Sequence, residues 1–167
     1  MDKAKKISTL IILIIIGCLL VIVINTNLKN TKDSNEIVMK DLDGNVQTIS
    51  FSEKPSVLLF FTSWCPYCND DAPKIVSLYQ KYKNEINIYG INLIHRENDP
   101  DDVKEYVSDY NIEYPVLFDD GGKLYRKYGS PGFPTLVFLD KNGKEVNRIV
   151  GSTAKKVIER QFINAMK

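Results

Sequence analysis

Three observations predict an α/β fold built on a central mixed β-sheet flanked by helices. An apolar run, Val57-Leu58-Leu59-Phe60-Phe61, passes directly into a stretch of helical periodicity. Short apolar strands then alternate with amphipathic segments, and the chain finishes in a hairpin and a helix. Ahead of this lies an apolar segment at residues 7–24, which reads as a membrane-crossing helix and not as part of the core.

The 167 residues carry 22 Lys+Arg against 21 Asp+Glu, a net charge of +1, so nothing argues for a nucleic-acid surface. Residues 1–6 hold Lys3, Lys5 and Lys6 and read as a cytoplasmic N-terminus. The apolar run at 7–24 is broken only by Ser8, Thr9 and Gly17. As a helix its 18 residues span about 27 Å, close to the ~30 Å hydrocarbon core of a bilayer. A small-x-small cleavage site is not seen after it, so the segment reads as an uncleaved signal anchor. The chain is then a single-pass protein of the cell membrane with its domain on the extracytoplasmic side. Ile15-Ile16-Gly17-Cys18 loosely resembles a bacterial lipobox, which leaves lipid attachment at Cys18 as an alternative; the strongly apolar 19–24 argues against it.

Residues 25–35 are polar and read as a flexible linker. The domain occupies 36–167. It opens with an N-terminal β-hairpin at 36–51, turning at Asp43-Gly44. Pro55 precedes the central strand at 57–62, whose continuous apolar character fits burial on both faces. From Cys65 to about residue 83 an apolar stripe of Ala72, Ile75, Val76, Leu78, Tyr79 and Tyr82 predicts a helix, kinked where Pro73 removes an amide. A strand at 86–93 and a polar loop around 95–99 follow. Asp99-Pro100-Asp101-Asp102 opens a helix reaching about Tyr110. A strand at 115–118, a short helix at 123–128 ended by Gly129, and a hairpin of 135–139 with 145–150 come next. The last helix, about 154–166, is predicted to be capped by Ser152 or Thr153.

The chemistry lies in Trp64-Cys65-Pro66-Tyr67-Cys68, at the passage from strand to helix. Cys65 at the positive end of a helix favours a thiolate and is expected to be the exposed, attacking sulfur. Cys68, one turn along and more buried, is placed to attack Cys65 in turn. These are the only two cysteines in 36–167, which leaves none for a structural disulfide. A zinc site needs two further ligands, and His95 is the single histidine, so neither a metal nor another cofactor is called for.

These residues resemble the thioredoxin superfamily, and within it the membrane-anchored TlpA/ResA-like thiol–disulfide oxidoreductases. The resemblance covers about 36–167. It rests on Phe61-Thr62-Ser63-Trp64-Cys65-Pro66-Tyr67-Cys68, Pro73, the helix at 100–110, Tyr114-Pro115-Val116-Leu117-Phe118-Asp119, Tyr128-Gly129, Gly132-Phe133-Pro134-Thr135 and the hairpin through Gly143. It implies a thioredoxin-like fold and a redox-active Cys65–Cys68 pair. It also implies that Pro134 is cis and faces that pair, with Trp64, Phe133 and Pro134 positioning the substrate. Leu59 stands where classical thioredoxins carry a buried Asp. Asp71 occupies the place of the branch's Glu after the cysteine pair, which makes it a candidate proton acceptor; Asp70 reads as a solvated acid.

The same resemblance implies a reductant of exported dithiol or disulfide proteins, with apocytochrome c, and so cytochrome c biogenesis, one candidate. Electrons would come from a membrane thiol-electron transporter of the CcdA/DsbD type. Pro66-Tyr67 is a dipeptide seen in many glutaredoxins, so the direction of exchange stays open. Two alternatives are weighed. Thr62-Ser63-Trp64-Cys65 mimics the Thr-x-x-Cys of peroxiredoxins, but Leu58 replaces the proline expected there. A copper-binding Sco-like protein uses three residues between its cysteines, not two. His95 and the tyrosines at 79, 82, 106, 110, 125 and 128 read as surface and packing residues respectively.

Overall fold

The computed structural model describes residues 7, 12–24, 36–51 and 53–167. The chain divides into two units, 1–36 and 37–167. In the first, residues 12–24 form helix α1, with their apolar side chains exposed. No helix among the described residues is long and apolar enough to cross a membrane. The readings made for 1–6, 8–11 and 25–35 lie outside the described residues.

The second unit is a thioredoxin-like α/β fold, a mixed sheet flanked by helices. Strands β1 (Glu36–Asp41), β2 (Val46–Ser50), β3 (Ser56–Phe61), β4 (Asn87–Asn92), β5 (Val116–Phe118), β6 (Thr135–Leu139) and β7 (Glu145–Val150) form one sheet in the order β2-β1-β5-β4-β3-β6-β7. β3 lies between β4, parallel to it, and β6, antiparallel. All six of its residues are buried, because both faces of the sheet are covered.

Alternation along β3 divides the core in two. Val57, Leu59 and Phe61 face a cluster that includes Ile75 and Leu78 of α2 (Pro66–Tyr82), Val103 and Tyr106 of α3 (Pro100–Asp109), and Ile158 and Phe162 of α5 (Lys155–Ala165). Leu58 and Phe60 face the other, with Ile49 and Phe51 beside the first hairpin and Leu124 of α4 (Lys123–Lys127). Both cysteines belong to the first cluster.

The local signals explain most element ends. Gly44 turns the first hairpin at φ +82°, a conformation that disfavours side chains. Asp99 caps α3 by accepting from the Asp101 amide at 2.9 Å. α2 runs helical through Pro73. Part of the expected polar loop is a 3-10 turn, Ile94–Arg96. One cap differs from expectation. Ala154, not Ser152 or Thr153, is the N-cap of α5, and no side chain caps that end. The Ser152 hydroxyl is drawn away to Asp71, and the Thr153 carbonyl accepts from Lys74 Nζ at 2.9 Å.

Candidate functional site

The site is built where β3 ends. Thr62-Ser63-Trp64 carry the chain round, and Cys65 takes the N-cap position of α2 in an extended conformation, φ −77° and ψ 116°. Its carbonyl accepts from the Cys68 and Asn69 amides at 3.0 and 3.1 Å, closing the first turn. Pro66 at the first helical position gives up no helix bond, since that amide has no partner within a helix. A cysteine therefore stands at the position that Ser or Asp usually takes, and its side chain makes no capping hydrogen bond.

Contrary to the sequence reading, Cys65 is not an exposed sulfur: 6% of the residue is accessible, against 2% for Cys68. Its cover comes from across the sequence. The Phe133 carbonyl accepts from Cys65 Sγ at 3.8 Å, and the Phe133–Pro134 bond is cis, as the resemblance implies. Both cysteines are free thiols. Burial pushes the Cys68 thiol well above its ordinary value. The Thr62 backbone amide works the other way by hydrogen bonding to it, while Cys65 and then Asp71 push it further up.

Asp71 is fully buried, so it is not the exposed acid that its place near a helix start would suggest. Its Oδ1 accepts from Lys74 Nζ and from Ser152 Oγ, each at 2.6 Å. Its Oδ2 is buried with no hydrogen-bond partner. One carboxylate oxygen is thus held by two donors, and the other is left as an open hydrogen-bond acceptor. Asp70 is exposed, and Leu59 is buried in the cysteines' cluster.

Trp64 is 51% exposed, which excludes a core role. Its Nε1 donates to the Arg96 carbonyl at 2.8 Å, fixing the ring at the rim of the site. His95 is exposed.

Sequence reasoning missed four contributors. Glu97 accepts from the Ser63 amide at 2.9 Å, from Ser63 Oγ at 2.5 Å and from Asn92 Nδ2 at 2.5 Å, so one carboxylate ties the turn before Cys65 to the end of β4. Arg96 stacks over Tyr125 and Phe133. Tyr106, read only as packing, does stack on Phe61 but also donates its hydroxyl to the Cys68 carbonyl at 3.2 Å. Lys74 supplies Asp71's counter-charge. The one signal available for Glu97 and Arg96 was their position just after a strand on the cysteine side of the sheet. Among the described residues no group of three or more His, Cys, Asp or Glu could hold a metal.

A sequence profile of the AhpC/TSA family matches residues 27–146. The chain belongs to that family. It is 33% identical over 131 residues to the thiol-disulfide oxidoreductase ResA of Bacillus thuringiensis subsp. konkukian, covering 77% of this chain and 73% of that one. It is 27% identical over 124 residues to the sporulation thiol-disulfide oxidoreductase A of Bacillus subtilis, covering 73% and 75%. The crystal structure of StoA from Bacillus subtilis superposes with a TM-score of 0.67 at 23% identity, over 76% of this chain and 96% of that one, which shows the shared fold. The chain is thus a protein thiol–disulfide oxidoreductase of the ResA/StoA type.

Proposed function

We propose that this oxidoreductase works outside the cell membrane, held there by an anchor at residues 7–24, and reduces disulfides of exported proteins. Supporting the tether are the apolar run behind three lysines and the polar spacer that follows it. The observation that carries the exchange reading is the placement of the two sulfurs. Cys65 sits at the start of α2 beneath the Phe133 carbonyl, and Cys68 lies one turn inside, buried and within the electrostatic reach of the Asp71 carboxylate, one oxygen of which is free.

The order of steps follows from burial. Cys65, as thiolate, attacks one sulfur of a client disulfide; that S–S bond breaks, and the client's other sulfur leaves as a thiolate and takes a proton. A mixed disulfide now joins Cys65 to the client. Cys68 keeps its proton meanwhile, because its buried thiol resists ionisation. Asp71 then accepts that proton, and Cys68 attacks Cys65 Sγ. The Cys65–Cys68 bond forms, the second client sulfur leaves, and two electrons have passed to the client. A membrane thiol-electron transporter of the CcdA/DsbD type restores the dithiol. Trp64, Phe133 and Pro134 position the client strand at Cys65. Apocytochrome c is one client class with the required dithiol chemistry.

The test is the redox equilibrium of the detergent-solubilised full chain in glutathione buffers. A potential near about −270 mV or lower supports a reductant, and one near about −120 mV an oxidant. Peroxide consumption that needs Cys65 but survives Cys68→Ser would replace this reading with a peroxidase.

A further inference from the structure

The exposed cation of Arg96 is held in place by residues that themselves touch or adjoin Cys65. The Arg96 guanidinium lies 5.2 Å from the Tyr125 ring centroid and 5.7 Å from that of Phe133. Its own carbonyl receives the Trp64 indole N–H at 2.8 Å. Both anchors adjoin the reactive sulfur: Trp64 precedes Cys65, and the Phe133 carbonyl meets Cys65 Sγ at 3.8 Å. Arg96 is exposed, and among the described residues no carboxylate pairs with it. The adjacent Glu97 is occupied by Ser63 and Asn92. A guanidinium stacked on two rings has lost much of its freedom but keeps its edge N–H groups for an incoming anion.

We infer that Arg96 determines specificity at the exchange site by selecting client disulfides with an acidic side chain next to the attacked cysteine. The inference rests on the exchange reading above. A client segment whose sulfur reaches Cys65 must pass Phe133, and its neighbouring side chains then lie beside the cation over that ring. An Asp or Glu there gains a charge-assisted hydrogen bond, and a Lys or Arg is repelled. The exposed rings of Trp64 and Tyr67 add apolar contact that does not sort clients by charge.

The test uses the reduced full chain in detergent and three disulfides. Two are blocked cysteine peptides, identical except for Asp or Lys next to the cysteine; the third is uncharged hydroxyethyl disulfide. Released thiol is followed by chromatography, and each peptide rate is divided by its rate with dithiothreitol to remove the peptides' own reactivity. At low ionic strength the Asp peptide is favoured by about fivefold, and high salt erases the preference. Each variant is read as the Asp-to-Lys ratio after division by its rate on the uncharged disulfide, so that a change common to all three substrates cancels: Arg96→Lys keeps part of the preference, Arg96→Gln abolishes it, and Arg96→Glu inverts it. A ratio near one in the unsubstituted chain overturns the inference. So does a ratio that persists in Arg96→Gln and Arg96→Glu, or an equal loss on all three disulfides. Failure of the unsubstituted chain to react with the uncharged disulfide would instead sink the exchange reading.

Discussion

Replacing Asp71 by Asn separates shape from chemistry at the resolving step. The amide oxygen of the replacement can still accept from Lys74 Nζ and Ser152 Oγ, both now at 2.6 Å, while the amide nitrogen takes the place of the unpartnered Oδ2. Stability should therefore fall by about 2–4 kcal/mol, from the lost charge assistance of the Lys74 pair and the buried amide N–H groups left without an acceptor. The kinetic effect is separate. At its ordinary value of 9.0, about 1% of the Cys68 thiol is ionised at pH 7, and burial reduces that further. A positioned base supplies a factor of ~10²–10⁴ in such cases, so Asp71→Asn should lengthen the life of the Cys65 mixed disulfide by about a hundredfold. Losing the carboxylate also eases Cys68 ionisation, but Asp71 is the smallest of the causes raising that thiol, so this opposing effect does not win. The assay is rapid quenching with acid followed by mass measurement of the adduct between pH 6 and 9. The variant should gain close to tenfold in resolution rate per pH unit, as hydroxide replaces the missing base, while the parent changes little. An adduct lifetime within twofold of the parent, or the same pH slope, refutes the role given to Asp71.

Ser152→Ala removes one of the two donors to Asp71 Oδ1 and should cost about 1–2 kcal/mol in urea unfolding, with the mixed disulfide still resolving. Glu97→Ala leaves the Ser63 amide, Ser63 hydroxyl and Asn92 amide without their acceptor; unfolding experiments should show a loss of about 2–4 kcal/mol, and a loss below 1 kcal/mol would contradict the clamp. Tyr106→Phe keeps the stack on Phe61 but removes the hydrogen bond to Cys68, for a loss of about 1 kcal/mol. Alkaline stability should depend on redox state. The Cys68 thiol is raised on folding, so its contribution is whole below its ordinary 9.0 and declines as pH rises above it, by at most about 1.4 kcal/mol per pH unit. Buried Tyr106 and Tyr114 are raised as well and add to the decline above 10.0. The disulfide form lacks the Cys68 share, so denaturation between pH 9 and 10 should weaken the dithiol form more.

What could be read in advance was what is written locally. Residues 57–61 are continuously apolar because β3 is covered on both faces, and the helix start after Cys65 follows from the strand's end and Pro66. The order of the strands and helices was legible for the same reason. The cis bond before Pro134 came from the resemblance, not from any local pattern. The misreadings share one cause, contact between distant segments. Cys65 was expected to be exposed, and its cover, Phe133, is 68 residues away. Ser152 or Thr153 was expected to cap α5, but a buried carboxylate 81 residues before Ser152 competes for that hydroxyl and wins, and Ala154 takes the cap position. Glu97 reaches back 34 residues to Ser63, a link with no periodicity or spacing to announce it.

The division of labour between the sulfurs is tested most directly by mass spectrometry of single-cysteine variants of the full chain, incubated with a labelled disulfide peptide. Cys68→Ala should accumulate one stable adduct, mapped to Cys65, and Cys65→Ala should form none. An adduct on Cys68 in the absence of Cys65, or no trapped species in Cys68→Ala, would contradict the account.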